Sequence, residues 1–313
     1  MYIRTVSEEE YCKLLPEAST RYGSAGFNAL NASRCDVMRY FVACDTGGAP
    51  LAGFIAGRRD GRWLCPFSAP FGEVVWRHEP SEECVQDFVE ELVHYFEPEG
   101  GLQLTLPPDF YNDATLTALK TSLSALASRQ WNDYNYHYPL SRAAAYGQWL
   151  TPPARRNLRR ALGAGFEFIP TDDAARVYAV IEEHHRAKGY PVRMTLRQVV
   201  DTARVIPTDY FLLEHQGATV AAAIIQHVAL NVVQLTYWGN LDGYNTLRPM
   251  NMMAYCLCRH YAEAGIGIFD FGPASSEGVP DTGLCRFKTS LGAELGFKPT
   301  FVFRGCLIIN VTR

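Results

Sequence analysis

The chain has 313 residues, of which 48% are hydrophobic and 20% are charged, and its formal net charge is −4. This length exceeds a usual single core and predicts two domains, while the composition excludes a disordered chain. The acidic balance excludes a surface devoted entirely to nucleic acid and leaves room for a local basic patch. No apolar run reaches the roughly 20 residues of a membrane span, and acidic residues follow the start, so we expect a soluble cytoplasmic protein.

Nine cysteines are scattered through mostly apolar segments, a pattern typical of reduced thiols rather than of a disulfide framework. Cys256 and Cys258 are two residues apart on a predicted helix and point to different faces, which makes them a poor pair of metal ligands. His184 and His185 fit the surface of a helix better than a metal site. We therefore expect no metal and no tightly bound cofactor.

The first half of the chain alternates strands and helices. The sequence predicts a short helix over residues 7–16 and then a hairpin within residues 39–58, whose turn is Asp45-Thr46-Gly47-Gly48. A helix over residues 81–96, the strand GLQLTLPP, a helix over residues 113–126 and the aromatic strand WNDYNYHYPL follow.

The second half repeats this order. It contains the hairpin strands DYFLLEHQGATVAAAIIQHVAL and VVQLTYWG, a helix over residues 250–264, the strand IGIFDFG, a helix over residues 283–295 and the strand KPTFVFR. Two strings recur between the halves: TGGAPLAGFIAG matches HQGATVAAAIIQ, and LKTSLSAL matches FKTSLGAEL. Since the period is far longer than a solenoid repeat, it indicates duplication of a whole domain.

We therefore predict an α/β fold made of two tandem domains, each with a mixed, mostly antiparallel sheet flanked by helices. The N-terminal domain would cover residues 1–145, a connecting helix residues 146–166, and the C-terminal domain residues 167–313. The connecting helix would start after Thr151, a capping residue that precedes two prolines, and end near Gly163 and Gly165.

Four segments carry a resemblance to a known family: SAPFGE at 68–73, ARRNLRRALGAGF at 154–166, LRPMNMMAY at 247–255 and FDFGPASSEGVPDTGLCRFKTSLG at 269–292. With the doubled element order, they resemble the Fem family of aminoacyltransferases and related tandem acyltransferases of the GNAT superfamily. The resemblance implies two GNAT-like domains, direct transfer of an acyl group to an amine, and an active site in the C-terminal domain.

The chain departs from ordinary GNAT acetyltransferases, which carry a glycine-rich turn whose backbone N–H groups hold the pyrophosphate of coenzyme A. Neither half has this turn, since VVWRHEPSEE and DGYNTLRPMN stand in its place. Fem-type proteins that use aminoacyl-tRNA also lack it, so the resemblance favours aminoacyl-tRNA as the donor and a small-molecule or peptide amine as the acceptor. Acyl-CoA stays an alternative donor, and a non-catalytic binding module is a third interpretation.

Two residues are catalytic candidates, Lys288 from the resemblance and Asp270 from its place on a strand. Lys288, beside Phe287, matches a lysine in the substrate site of Fem-type enzymes, where it would bind phosphate or stabilise the oxyanion. The competing interpretation is a lysine that solvates a helix, since Lys120 occupies the same place in the first half. Asp270 alternates with two phenylalanines on a strand and would accept the proton of the attacking ammonium, unless it is a buried structural carboxylate.

Further residues are candidates for substrate binding. Arg248 would place its guanidinium at a helix N-terminus that faces a donor phosphate, or would form a surface ion pair. Arg193 resembles the arginine that Fem-type enzymes use against acceptor phosphates. Tyr237 and Trp238 end a central strand where this fold separates two strands to receive the acyl carbonyl; the alternative is that both are core aromatics.

A run of arginines occupies the predicted connecting helix. Their spacing places all four on about one side of that helix, where they would contact tRNA or a diphosphate: Arg155, Arg156, Arg159 and Arg160. The alternative is a solvated helix face that pairs with neighbouring acidic residues.

Overall fold

The computed structural model describes residues 1–111 and 114–305 and divides into two compact units. Unit 1 contains Met1–Asp133 and Phe297–Arg313, and unit 2 contains Tyr134–Gly296. Both units are α/β, and each has a mostly antiparallel sheet with helices packed on it. The predicted fold class is confirmed.

Unit 1 begins with strand β1 and ends, within its first segment, at the start of strand β7. Its elements are β1 (Tyr2–Val6), α1 (Glu8–Leu14), α2 (Ala25–Asn31), β2 (Val37–Cys44), β3 (Pro50–Arg59), β4 (Arg62–Cys65), β5 (Val75–Trp76), α3 (Glu82–Phe96), β6 (Gly101–Thr105), α4 (Ala114–Leu126) and β7 (Arg129–Pro139).

The unit 1 sheet has the order β1-β2-β3-β4-β6, and the pair β4–β6 is parallel whereas the pairs from β1 to β4 are antiparallel. Phe41 on β2 and Phe54 on β3 face α3, where they pack on Phe88 and Phe96. Their neighbours along the strands, such as Val42, face α1. This alternation covers both faces of the sheet.

Unit 2 begins within β7 and ends within β15. The elements that follow β7 are α5 (Tyr146–Trp149), α6 (Pro152–Leu162), β8 (Phe166–Thr171), α7 (Ala174–Lys188), α8 (Leu196–Ala203), β9 (Thr208–His215), β10 (Ala218–Ala229), β11 (Val232–Asn240), α9 (Pro249–Glu263), β12 (Ile268–Pro273), β13 (Ser275–Ser276), β14 (Val279–Pro280), α10 (Thr282–Ser290) and β15 (Glu294–Arg304), which passes into unit 1 at Phe297.

The unit 2 sheet repeats the arrangement of unit 1, with the order β8-β9-β10-β11-β12 and a parallel pair β11–β12 at the same place. Leu257 and Tyr261 of α9 pack on one face of this sheet, and Val177 and Ile181 of α7 pack on the other. The recurring strings occupy equivalent elements: one spans the turn into β3 or β10, and the other lies in α4 in unit 1 and begins in the last turn of α10 in unit 2. These positions match the predicted duplication.

The sixth strand of each sheet comes from the other half of the sequence. In unit 1, Thr300–Arg304 of β15 pairs antiparallel with β6. In unit 2, Asn135–Pro139 of β7 pairs antiparallel with β12. The sequence order had placed β7 with the first domain and β15 with the second, so the compact units differ from the halves by this exchange. Pairing between strands so distant in sequence leaves no local signal.

Most predicted elements lie within a few residues of the observed ones. Ser81 caps α3 through its side chain, as its type predicts.

Two details differ from the predicted elements. Thr151 stands at the N-cap of α6 without a side-chain cap bond, and α10 ends at Ser290 rather than near residue 295. Gly292, with φ of +80°, ends that helix and lies so close to Trp149 that a Cβ would clash. Asp113 and Cys306 lie outside the described residues.

Candidate active site in unit 2

The parallel pair β11–β12 stays paired over only three positions. Val232 pairs with Ile268, Val233 with Phe269 and Gln234 with Asp270, after which pairing ends although both strands continue. We call the following residues the fork: Leu235–Asn240 of β11 and Phe271–Pro273 of β12. Because the fork lacks this strand pairing, it is suited to receive an extended ligand. Its place matches the predicted separation at Tyr237 and Trp238.

A β-bulge lies at the start of the β11 arm of the fork. Leu235 pairs with Ile225 and Tyr237 pairs with Ile224, so Thr236 is the extra residue between them. Its Oγ1 atom is buried and has no hydrogen-bond partner among the described residues. A buried hydroxyl without a partner calls for an explanation, and a ligand carbonyl is one. No pattern in the sequence distinguishes Thr236, because only the register of the two strands singles it out.

The two aromatic candidates of β11 point to different faces of the sheet. Trp238 packs with Phe271 and Phe287, with ring centroids 5.7 Å and 5.9 Å away. Tyr237 belongs to the cluster under α7, where its hydroxyl accepts a 3.2 Å hydrogen bond from the Met194 N–H and burial raises its pKa. The structure therefore brings Trp238 and Phe287 together and separates Tyr237 from them.

Asp270 lies at the closed end of the fork and is fully buried. Its Oδ1 accepts 2.7 Å hydrogen bonds from the Asn135 side chain and the Gly272 N–H, and its Oδ2 accepts one of 2.7 Å from the Gln234 side chain. These bonds tie β7, β11 and β12 together where the fork begins. The geometry favours a structural carboxylate over a base that meets an incoming amine.

Lys288 is buried against the β12 arm of the fork, with 3% exposure. Its Nζ donates to three successive carbonyl oxygens at the end of β12: 2.7 Å to Phe271, 2.8 Å to Gly272 and 2.8 Å to Pro273. An ammonium has three N–H donors, and a buried one is costly unless they are matched. Lys288 therefore holds the β12 arm in place. This role differs from both sequence-based interpretations, a lysine that stabilises the oxyanion and a lysine that solvates a helix.

Arg248 precedes helix α9 in a left-handed conformation, with φ of +65°, which favours glycine. Its side chain is exposed and makes no hydrogen bond or ion pair with the described residues. Pro249 has no N–H, and the N–H groups of Asn251 and Met252 bond to the Arg248 carbonyl. The helix N-terminus therefore offers an anion the Met250 N–H and a nearby guanidinium. A strained backbone of this kind is frequent at functional sites.

The connecting-helix arginines do not act as one group. Arg155 donates to the backbone carbonyls of Gly147, Gln148 and Leu150 and thereby fixes the segment before α6. The other three are exposed and have no partner among the described residues, and we call them the basic face: Arg156, Arg159 and Arg160. Helix α6 packs on α9 and on the turn that leads to Arg248.

Arg193 lies in the segment between α7 and α8, beside Tyr237. Its guanidinium is exposed and forms no ion pair within the described residues. The position leaves it available to an anionic group.

The equivalent fork of unit 1 is closed by the chain itself. Strands β4 and β5 both pair with β3, and residues 66–74 interrupt them where unit 2 has the single bulge residue. The Gly72 N–H donates a 2.8 Å hydrogen bond to Thr105 at the end of β6. Buried Glu73, whose pKa burial raises, accepts bonds from the Ser19 N–H and from the N–H and hydroxyl of Thr20, which anchors this segment.

Residues 1–111 and 114–305 contain no group of three or more His, Cys, Asp or Glu arranged to hold a metal ion, and their eight cysteines are free thiols. None of their helices combines the length and the apolar character that a bilayer crossing requires.

Comparison with known proteins shows the fold. No protein-family model and no curated protein matches the sequence. Among solved structures, FemX matches with a TM-score of 0.67 and 11% identity over 97% of each chain. L-PGS from Bacillus licheniformis matches with a TM-score of 0.58 and 12% identity over 95% of this chain and 90% of L-PGS. A tandem GNAT protein from the clavulanic acid biosynthesis pathway has a TM-score of 0.50 and 13% identity over 97% of this chain and 99% of that protein. The chain therefore has a tandem GNAT-like fold similar to that of FemX, and the predicted resemblance is confirmed at this level.

Proposed function

We propose that the chain is an acyltransferase that moves an aminoacyl group from aminoacyl-tRNA to an amine of a peptide or nucleotide-linked acceptor. The observation that carries this proposal is the fork of unit 2, where Thr236 presents a buried hydroxyl without a partner. The equivalent fork of unit 1 is occupied by residues 66–74. The reaction is therefore assigned to unit 2.

The reaction is a direct aminolysis of an ester. The lone pair of the acceptor amine attacks the carbonyl carbon, a C–N bond forms, and the C–O bond to the terminal ribose of the tRNA breaks. The ammonium gives a proton to solvent, and the ribose oxygen takes a proton from solvent as it departs, so that it leaves as a hydroxyl. The Thr236 hydroxyl donates to the carbonyl oxygen as it becomes negative, which stabilises the tetrahedral intermediate.

The remaining residues prepare the fork for this step. Asp270 ties β12 to β11 where the fork begins, and Lys288 holds the β12 arm in place. The cluster of Trp238, Phe271 and Phe287 lines it with apolar surface that excludes water from the ester. Of the earlier candidates, Lys288 and Asp270 thus become positioning residues.

The arrangement of free cations supports tRNA as the donor. The basic face of α6 lies next to the turn that leads to Arg248, and none of its three arginines is paired within the described part of the chain. Unpaired arginines on one helix face suit a phosphate backbone. Arg193, also unpaired, is assigned to an anionic group of the acceptor.

One observation favours acyl-CoA as a second candidate donor. The Met250 N–H and the Arg248 guanidinium lie together at the N-terminus of α9, which is suited to a diphosphate. A single free backbone N–H is fewer than a glycine-rich turn provides, and for this reason we place the CoA donor second.

The test uses hydroxylamine as a surrogate amine, because it converts an aminoacyl ester or an acyl thioester to a hydroxamate. The protein is incubated with mixed aminoacyl-tRNAs or with acetyl-CoA, and hydroxamate formation is compared with the uncatalysed rate. We expect acceleration with aminoacyl-tRNA that Thr236→Val removes and Thr236→Ser retains. Acceleration with acetyl-CoA alone would select the second donor, and tRNA binding without turnover would identify a non-catalytic binding module.

A further inference from the structure

A second candidate site lies in unit 1. It is a cavity of about 380 Å³ between α4, β7 and β15. Phe297, Pro299 and Phe301 alternate along β15 and form an apolar floor, of which Phe297 is 40% exposed. The other lining residues are mostly polar: Asp109, Lys120, Ser124, Gln130, Trp131 and Asn132. An apolar floor with a few converging polar groups is the usual composition of a small-molecule site.

The charged group of this cavity differs from its counterpart in the other unit. Lys120 occupies in α4 the place that Lys288 occupies in α10, within the same KTSL string. Lys288 uses its three N–H groups on backbone carbonyls, whereas Lys120 has one partner in the described part of the chain, the carboxylate of Asp109. The Asp109 side chain is 59% exposed, so an anion from solvent can compete with it.

We propose that the cavity binds a small aryl anion. Its flat ring lies on the exposed ring of Phe297, its carboxylate or phosphate pairs with the Lys120 ammonium, and its amide or hydroxyl groups bond to Gln130 and Asn132. The volume suits a ligand somewhat larger than one ring and one anionic group. All the lining residues belong to unit 1, so this proposal is independent of the transfer reaction assigned to unit 2.

The Lys120–Asp109 ion pair predicts that replacing each of its two residues changes ligand affinity in opposite directions. Lys120→Met removes the cation and keeps the aliphatic stem, so it weakens binding of an aryl anion. Asp109→Asn removes the competing carboxylate and leaves the ammonium to the ligand, so it strengthens the same binding. A cavity that took ligands for their apolar surface alone would respond to neither change.

The test is isothermal titration calorimetry of the full chain, without donor or acceptor. The probes are hippurate and phenyl phosphate as aryl anions, hippuramide as the neutral analogue, and N-acetylglycine as the anion without a ring. We expect one of the aryl anions to bind at least about tenfold more tightly than hippuramide and N-acetylglycine, as one charge-assisted contact and one stacked ring imply. Comparing the two aryl anions distinguishes a carboxylate ligand from a phosphate ligand.

The variants complete the test. Lys120→Met should weaken the better aryl anion about tenfold and Asp109→Asn should tighten it about threefold. Lys13→Met is the matched control, since Lys13 is also a helix lysine of unit 1 paired with a carboxylate, that of Glu9. Thermal melting confirms that each variant is folded. The proposal is overturned if no probe binds at millimolar concentration, if hippuramide binds as well as hippurate, or if both variants bind like wild type.

Discussion

The Lys288 ammonium donates a 2.7 Å hydrogen bond to the carbonyl oxygen of Phe271, and this contact fixes one arm of the fork. The same ammonium also bonds to the two following carbonyls, so the side chain closes the end of β12 from within the protein. Several consequences of this geometry and of the neighbouring residues can be measured.

Replacing Lys288 by methionine should destabilise the fold as well as the reaction. The substitution leaves three carbonyl groups without their donor, and we expect the free energy of unfolding to fall by about 2 to 4 kcal/mol. Urea denaturation measures this loss, and Lys13→Met, on an exposed helix, should change it by less than about 0.5 kcal/mol. If Lys288→Met unfolds like wild type and loses only transfer, the lysine contacts substrate directly and its positioning role is wrong.

Thr236→Val tests the hydroxyl of the fork with little change in shape. We expect kcat/KM for aminoacyl transfer to fall about 10- to 100-fold, because one donor to the developing oxyanion is lost. Stability should stay equal or rise slightly, since the hydroxyl has no protein partner in the described residues. Thr236→Ser should retain most of the rate. Equal rates for the valine and serine variants would remove Thr236 from the mechanism.

The basic face should contribute to tRNA affinity through charge. We expect that changing Arg156, Arg159 and Arg160 to glutamine makes the negative slope of log K against log salt shallower by about 2. Each lost phosphate contact contributes roughly 0.7 to 0.9 to that change. Filter binding of tRNA at several salt concentrations measures the slope. The control removes three exposed arginines that are already ion-paired, Arg186, Arg197 and Arg204. An equal change of slope in the control would mean that the effect depends on net charge alone.

Stability should depend on pH through His137, the residue paired with Asp270 in the sheet. Burial lowers the pKa of His137 below its ordinary value of 6.5, in spite of the nearby Glu294 carboxylate. The unfolded chain therefore binds this proton more readily, and the free energy of unfolding falls as the pH drops below about 6.5. Denaturation at pH 7.5 and 5.5 should show a smaller loss in His137→Gln than in wild type. His78→Gln, which alters an exposed histidine, should lose as much as wild type.

The elements that local chemistry determines were predictable from the sequence. The Asp45–Gly48 turn, the Ser81 cap of α3 and the proline start of α6 follow from residue type and spacing. The burial of Lys288 does not, because the KTSL string is the same around Lys120, which lies on a cavity instead. The environments of the two lysines differ because backbone carbonyls from a different strand surround the Lys288 ammonium. The same holds for Arg155 and for Thr236, whose environments depend on neighbouring strands or loops.

The exchange of final strands bears on the order in which the chain folds during synthesis. Unit 2 is one continuous stretch, Tyr134–Gly296, whereas the sheet of unit 1 lacks its sixth strand until β15 has been made. Translation proceeds from the N-terminus, and domains usually fold in that order. Here the edge of β6 stays without its partner strand throughout the synthesis of unit 2. The sheet of unit 1 therefore cannot be completed until its last strand has been made, and until then β6 is an unpaired edge of the kind that favours aggregation.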